Sequence, residues 1–301
     1  MTSTPLSTNR TVPITPTPMA TWIDVPQAAI HKRSLSEILV TRFRREEDLC
    51  RFVVRILRRH TMWSAERDEL PLIIAVEALR QVGLALGHLG GNVPLEWAFI
   101  LNETSFSWTT SAPVWTGGDD LTLEVSCNVE SSREHHGVLV ELVAKTDFWL
   151  GDQLIGTGHG HINCLPPRAY RLIRRAAVAT SNAAMAPGTA LLHDRSNDDV
   201  QLRATLGWEY PHPFFYDHDA DHVPGMLLAE AAIAAHMALN GVQPGSISLV
   251  CSKFAEFGSD VSLLTNKGAL TSTEFTQSGA PIARARTGSP MGRGGSPVIA
   301  R

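Results

Sequence analysis

Pro71-Leu-Ile-Ile-Ala-Val-Glu77-Ala and Pro224-Gly-Met-Leu-Leu-Ala-Glu230-Ala are the stretches whose reading decides the fold of this chain. Each opens on a proline, which suits a helix start because the N–H it lacks would have no partner there. Each then places one carboxylate six residues later inside an apolar run. The copies lie 153 residues apart, about the length of one domain. An ionisable residue repeated at one place in two apolar helices points to a duplicated fold with a polar position in each half.

The repeat extends outward from the helices. His31-Lys-Arg33-Ser34, leading into Glu37-Ile-Leu-Val40, returns as His193-Asp-Arg195-Ser196, leading into Asp199-Val-Gln-Leu202. Phe148-Trp-Leu-Gly-Asp-Gln-Leu-Ile155-Gly-Thr-Gly returns as Phe275-Thr-Gln-Ser-Gly-Ala-Pro-Ile282-Ala-Arg-Ala, a strand, a Gly-containing turn and a strand. The order is kept while the spacing shrinks, so the second copy has shorter loops. The first helix is predicted from Pro71 to about His88, stopped by Gly90-Gly91, and the second from Pro224 to about Leu239, stopped by Asn240-Gly241. Strands are expected over 96–106, 120–129, 137–148 and 154–162 after the first helix, and over 246–257, 270–277 and 281–286 after the second. One helix per antiparallel sheet is an α+β arrangement. A sheet wrapped around one central apolar helix is a hotdog, and two in tandem make a double hotdog. The expected organisation is a disordered leader over 1–20, a first hotdog domain over 21–166, a linker over 167–187, a second hotdog domain over 188–288 and a disordered tail over 289–301.

Composition agrees with two modest cores: 301 residues, 44% of them hydrophobic. A formal charge of −4 supplies no basic field for nucleic acid. Cys50, Cys127, Cys164 and Cys251 are scattered, which fits a reducing compartment better than a disulfide framework or a zinc site. The N-terminus lacks the apolar core of a signal peptide, and no run of about 18 apolar residues is apparent. A cytoplasmic protein with no membrane contact is expected. Between the repeats, Arg168, Arg171, Arg174 and Arg175 accompany Tyr170 in the linker. They read as a solvated helix end or as a docking surface for an acidic carrier protein.

The chemistry concentrates around the helices. Glu77, Arg80 and Gln81 stand at i, i+3 and i+4, with His88 three turns beyond, near one face. That face is either the solvent side of an amphipathic helix or a buried polar site. Glu230 has only apolar neighbours on its helix; desolvated there it would have a raised pKa and act as a general acid or base, whereas on an exposed face it would simply meet water. Ahead of this helix, His212-Pro-Phe-Phe-Tyr-Asp-His218-Asp-Ala-Asp-His222-Val-Pro-Gly225 gathers histidines and aspartates where helix N–H groups favour an anion or a polarised carbonyl. His218 and His222 have i, i+4 spacing, but Pro224 puts them outside the helix, so no metal site is expected. His60 is the candidate counterpart in the first half. Arg80, Gln81, His212, His218, His222 and Gly225 form the candidate substrate-binding set.

The segment from His212 to Ala231 resembles the second-repeat motif of the AfsA family, the A-factor biosynthesis hotdog proteins, and Glu77-Ala-Leu-Arg80-Gln81 resembles the first-repeat motif. The likeness spans roughly His31 to Gly288. More distantly, His218, Pro224-Gly225 and Glu230 are similar to the His, Pro-Gly and Glu of hotdog dehydratases. The resemblance implies transfer of a β-ketoacyl group from acyl carrier protein to dihydroxyacetone phosphate. Closure toward a butenolide phosphate would follow, as a precursor of a γ-butyrolactone signal, with no cofactor. It implies Glu230 as general base and Glu77 as the equivalent or supporting carboxylate. One departure stands out. Family members often carry Arg-Gln after the second glutamate as well, and here Ile233 and Ala234 occupy those places. The alternatives are a dehydratase or thioesterase acting on acyl thioesters, and a non-catalytic ligand-binding regulator. Two hotdogs in one chain satisfy the usual pairing internally, and assembly into a homodimer stays open.

Overall fold

Thirteen strands and three α-helices are present among the described residues of the computed structural model, 19–46, 49–64, 66–175 and 190–290. The first half contributes β1 (Met19–Asp24), β2 (Val40–Glu46), β3 (Leu49–Ile56), α1 (Leu72–Ala85), β4 (Ala98–Trp108), β5 (Leu121–His135), β6 (Val138–Leu150) and β7 (Gln153–Leu165). After α2 (Pro167–Ile173), the second half contributes β8 (Leu192–Asn197), β9 (Gln201–Leu206), α3 (Gly225–Asn240), β10 (Ser246–Cys251), β11 (Val261–Asn266), β12 (Thr271–Gln277) and β13 (Ala280–Gly288). The leader up to residue 18, linker residues 176–187 and the tail from 291 lie outside the described residues.

All strands join one antiparallel sheet in the order β1-β2-β3-β5-β6-β7-β4-β10-β13-β12-β11-β9-β8. The centre of that order is the seam between halves, where Ser107 of β4 lies opposite Ser246 of β10 and Thr104 opposite Leu249. Helix α1 packs on β7, β2 and β4; α3 packs on β13, β10, β12, β8 and β9; and the two helices touch. This is the double hotdog expected from the repeat.

Every residue of α1 except Arg80 and Gly83 is buried. The helix is therefore a core element rather than the amphipathic surface helix that its polar spacing also allowed. With the π-helical turn Leu86–Gly90 it forms 19 residues of mean hydropathy 1.5, long and apolar enough to span a membrane, contrary to the expectation that no such run exists. Its burial inside the sheet is 83% over that window. The repeated strand-turn-strand is β6–β7 and β12–β13, whose turns place Gly151 and Gly279 at φ of 57° and 76°. Both require the left-handed region that glycine enters without steric cost. Phe148 and Phe275, the matched residues that begin these repeats, are both fully buried.

Three departures have local causes. Besides β2 and β9, which follow the repeated His-x-Arg-Ser runs, the sheet holds β1, β3, β8 and β11, which are not among the expected strands; arginines interrupt the apolar pattern of β3, and β8 is almost wholly polar. The strand expected over 246–257 ends at Cys251, and the chain then leaves the sheet to bridge Val223 at Ala255. The expected linker begins instead as α2, which Arg174 ties to Asp221 and Glu256.

Gly156 marks the tightest contact of the first core. A Cβ there would come within 2.5 Å of the Phe106 ring, which packs edge-on against Trp108 and Phe148. Gly156→Ala should cost about 1–3 kcal/mol through overpacking, lowering the urea midpoint without changing the slope. An unchanged midpoint would show that the aromatic cluster has room to spare.

Candidate active site

Glu77 is 1% exposed and is surrounded by donors. Arg80, one turn on, closes a bidentate fork, Nε to Oε2 at 2.8 Å and Nη2 to Oε1 at 2.8 Å. Gln81 Nε2 donates to Oε1 at 2.9 Å, and Lys32 Nζ stands 3.5 Å away. Burial by itself would raise the pKa of this carboxyl. The Arg80 and Lys32 charges outweigh it and bring the value down to about 2. Gln81 serves the fold: its Oε1 accepts the N–H groups of Leu39 and Val40, and its Nε2 also reaches the Glu37 carbonyl, tying the start of β2 to α1.

The turn carrying Lys32 also grips the second half. Lys32 Nζ donates to the Phe214 carbonyl at 2.7 Å, and the Arg33 and Ser34 N–H groups donate to Asp217 Oδ2 at 2.8 and 3.3 Å. Asp217 in turn holds His218, Oδ1 to Nδ1 at 2.5 Å. A carboxylate can only accept, so Nδ1 carries the proton and Nε2 is left as the basic nitrogen. Burial raises the Asp217 pKa, but the His218 hydrogen bond, Lys32 and the Arg33 N–H together hold it below the usual range.

These contacts close one cavity of about 690 Å³ at the seam of the two halves. Lys32, Glu77 and Arg80 line it from the first half; His218, His222 and Gly225, at the first turn of α3, line it from the second. Phe99, Leu101 and Leu228 supply an apolar wall. His31 lines the same space, with Nε2 2.8 Å from His88 Nε2, whose Nδ1 lies 2.7 Å from the Val93 carbonyl. Burial, then the neighbouring His88 and Arg80, lower the His31 pKa to about 4, which keeps it neutral near pH 7. Because Val93 only accepts, His88 Nε2 must accept from His31, leaving His31 Nδ1 as an acceptor.

Of the predicted substrate-binding residues, the fold brings Arg80, His218, His222 and Gly225 onto this cavity. His212 lies outside its lining and uses Nδ1 to accept the Phe214 and Phe215 N–H groups in the turn. His60 is buried against Glu37 at 3.1 Å. His218 and His222 each turn Nδ1 to the aspartate preceding them rather than toward a common point. Residues missed from sequence are Lys32, His31 and Asp217. The His31-Lys-Arg-Ser repeat was visible, but its partner in the second half, His193, sits at the edge strand β8 against Asp194 and gave no hint of a site.

Glu230 does not line this cavity. Its Oε2 is buried with no hydrogen-bond partner, and burial raises its pKa to about 8. Ile233, where the first half has Arg80, is buried among apolar residues, so no guanidinium reaches this carboxyl from the matching position.

The sequence profile of the A-factor biosynthesis hotdog domain matches residues 15–166 and again residues 167–289. The chain belongs to the AfsA family. This AfsA-family protein is 27% identical over 245 residues to the 2-oxo-3-(phosphooxy)propyl 3-oxoalkanoate synthase of Streptomyces virginiae, covering 77% of this chain and 83% of that one. It is 29% identical over 218 residues to the synthase of the same name from Streptomyces griseus, covering 66% and 71%. Among solved structures, an acyl-ACP thioesterase from Bacteroides thetaiotaomicron superposes with a TM-score of 0.52 at 12% identity, over 79% of this chain and 96% of that one. That likeness shows the fold alone.

The two glutamates should act on stability with opposite signs. Glu230, raised from 4.5 to about 8, favours the folded state below pH 4.5, and this contribution is lost as pH rises to 8, at up to about 1.4 kcal/mol per unit. Glu230→Gln should therefore gain on wild type as pH rises through that window in urea titrations; parallel curves would mean that Glu230 is solvated. Glu77, lowered from 4.5 to about 2, stabilises above pH 4.5 and loses that effect as pH falls to 2. Glu77→Gln should lack that acid limb and should be destabilised at pH 7 by about 3–5 kcal/mol, because Lys32 and Arg80 lose their counter-charge.

Proposed function

We propose that this protein is an acyltransferase that moves a β-ketoacyl group from an acyl carrier protein thioester to the hydroxyl of dihydroxyacetone phosphate, toward a γ-butyrolactone or butenolide signal. The observation that carries this reading is the cavity at the seam, where the Asp217–His218 dyad from one half faces the Glu77–Arg80 fork of the other. The names of the relatives supply the substrate class, a 3-oxoalkanoate and a phosphooxypropyl group.

In this reading His218 Nε2 takes the proton of the acceptor hydroxyl, and the oxygen attacks the thioester carbonyl carbon. The Gly225 and Met226 N–H groups, which precede the first hydrogen bond of α3 from Leu227 to the Pro224 carbonyl, stabilise the negative charge that develops on the carbonyl oxygen. The C–S bond then breaks, and the leaving thiolate recovers the proton from the imidazolium. The Arg80 Nη1, outside the fork to Glu77, takes the phosphate. Glu77 is too acidic and too fully engaged to accept a proton, so its role is to aim Arg80 and Lys32. Glu230, with no place on the cavity, takes no part in this step.

Purified protein incubated with acetoacetyl acyl carrier protein and dihydroxyacetone phosphate should give the phosphorylated ester by mass spectrometry. His218→Ala should lower kcat by about 10²–10⁴-fold, Arg80→Ala should raise KM for dihydroxyacetone phosphate, and Glu230→Gln should retain activity. Release of free acid without ester, indifferent to the phosphate acceptor, would make the protein a thioesterase instead.

A further inference from the structure

Helix α2 and the residues that follow it have two faces with different work. On the inner face, Arg174 lies with its side chain 8% exposed, reaching Glu256 at 2.5 and 2.8 Å, Asp221 Oδ2 at 3.1 Å and the Asp221 carbonyl at 2.7 Å. Its guanidinium covers the Phe254 ring at 4.4 Å. Tyr170, one turn earlier, donates its hydroxyl to Asp221, which in turn holds His222. Tyr170, Asp221, His222 and Phe254 all line the cavity, so this inner face is part of its wall. The helix is thereby fastened beside the opening of the site.

The outer face carries Arg168, Arg171 and Arg175, at i, i+3 and i+7, all exposed. None of the three has an ion-pair partner among the described residues. Leu172 and Ile173 stand among them, 66% and 51% exposed, two of the few large apolar side chains left outside the core. Lys253, also exposed and lining the cavity next to Phe254, adds a further positive charge. A protein of net charge −4 has thus gathered unneutralised cations around apolar side chains at the entrance to its site. That pattern complements a partner that is acidic and presents a small apolar contact.

We infer that the outer face of α2 and of the turn that follows it, formed by Arg168, Arg171, Leu172 and Arg175, is the docking surface for the acyl carrier protein. The inference rests on the acyltransferase reading for its partner. It adds where the carrier sits and why: the acidic carrier meets the arginines, Leu172 and Ile173 take its apolar contact, and the thioester arm enters past Tyr170. Docking is separate from the chemistry inside the cavity, so the two can be separated by the length of the acyl donor.

The test compares acetoacetyl acyl carrier protein with acetoacetyl N-acetylcysteamine, which offers the same acyl group without the protein. In the variant R168E/R171E/R175E, KM for the carrier-bound donor should rise about tenfold or more with kcat unchanged, while turnover of the small thioester should stay at the wild-type rate. Leu172→Ser should act in the same direction with no change of charge, and raised salt should weaken the wild-type preference for the carrier. Fluorescence anisotropy of labelled carrier protein reads docking without any reaction: wild type should bind, and the triple variant should bind at least about tenfold more weakly. Equal binding by both, absence of wild-type binding, or equal losses on both donors would overturn the docking inference. Failure of both donors to react would instead overturn the acyltransferase reading, and the anisotropy result would still decide the surface. If the triple variant does not fold, Arg171→Glu and Leu172→Ser are compared by the same two readouts.

Discussion

The ion cluster around Glu77 is the constraint on which the rest of the structure depends. A carboxylate in the middle of an apolar helix survives burial only if donors surround it, and Arg80, Gln81 and Lys32 do so. Each of those donors is committed elsewhere as well. Gln81 fixes the start of β2, and Lys32 reaches the Phe214 carbonyl of the other half. Beside Lys32, the backbone of Arg33 and Ser34 holds Asp217, which sets the orientation of His218. One buried charge thereby couples the core of the first hotdog to the loop of the second.

The duplication is symmetrical in backbone and asymmetrical in chemistry. Both helices start at a proline and carry a glutamate at the same place, but the residues three and four positions on are Arg80 and Gln81 in one copy and Ile233 and Ala234 in the other. The first carboxyl is consequently held near pKa 2 and the second is pushed to about 8. The same residue type in the same fold position becomes a fixed anion in one half and a neutral acid at pH 7 in the other, because only one copy has cations within reach. The loop before each helix diverges in the same way: the second brings Asp217 and His218 to the cavity, while His60 in the first is sealed against Glu37.

Much of the fold was legible in the chain because its signals are local. Prolines at helix starts, Asn240-Gly241 at a helix end, and glycines at the turns after Leu150 and Ser278 act through backbone geometry that any neighbourhood would enforce. The family motif likewise singled out Glu77, Arg80 and His218. Lys32 and Asp217 stand in stretches the sequence marks, but their roles were not legible, since Lys32 meets Glu77 across 45 residues and Asp217 meets the Arg33 N–H across 184. Arg174 looks like one more cation of a basic linker for the same reason: its neighbours in sequence are other arginines, and the carboxylates that pair with it are those of Asp221 and Glu256.

What the sequence by itself determined is a tandem of two helix-and-sheet units, each with a glutamate six residues into its apolar helix, because apolar periodicity and turn chemistry are written within a few residues. Only the tertiary structure decided that residues of both halves line a common cavity, and that Glu77 lines it while Glu230 does not. The physical reason is that a polar site is defined by which charges share a low-dielectric space, and that sharing is settled where the β4–β10 seam sets one half against the other.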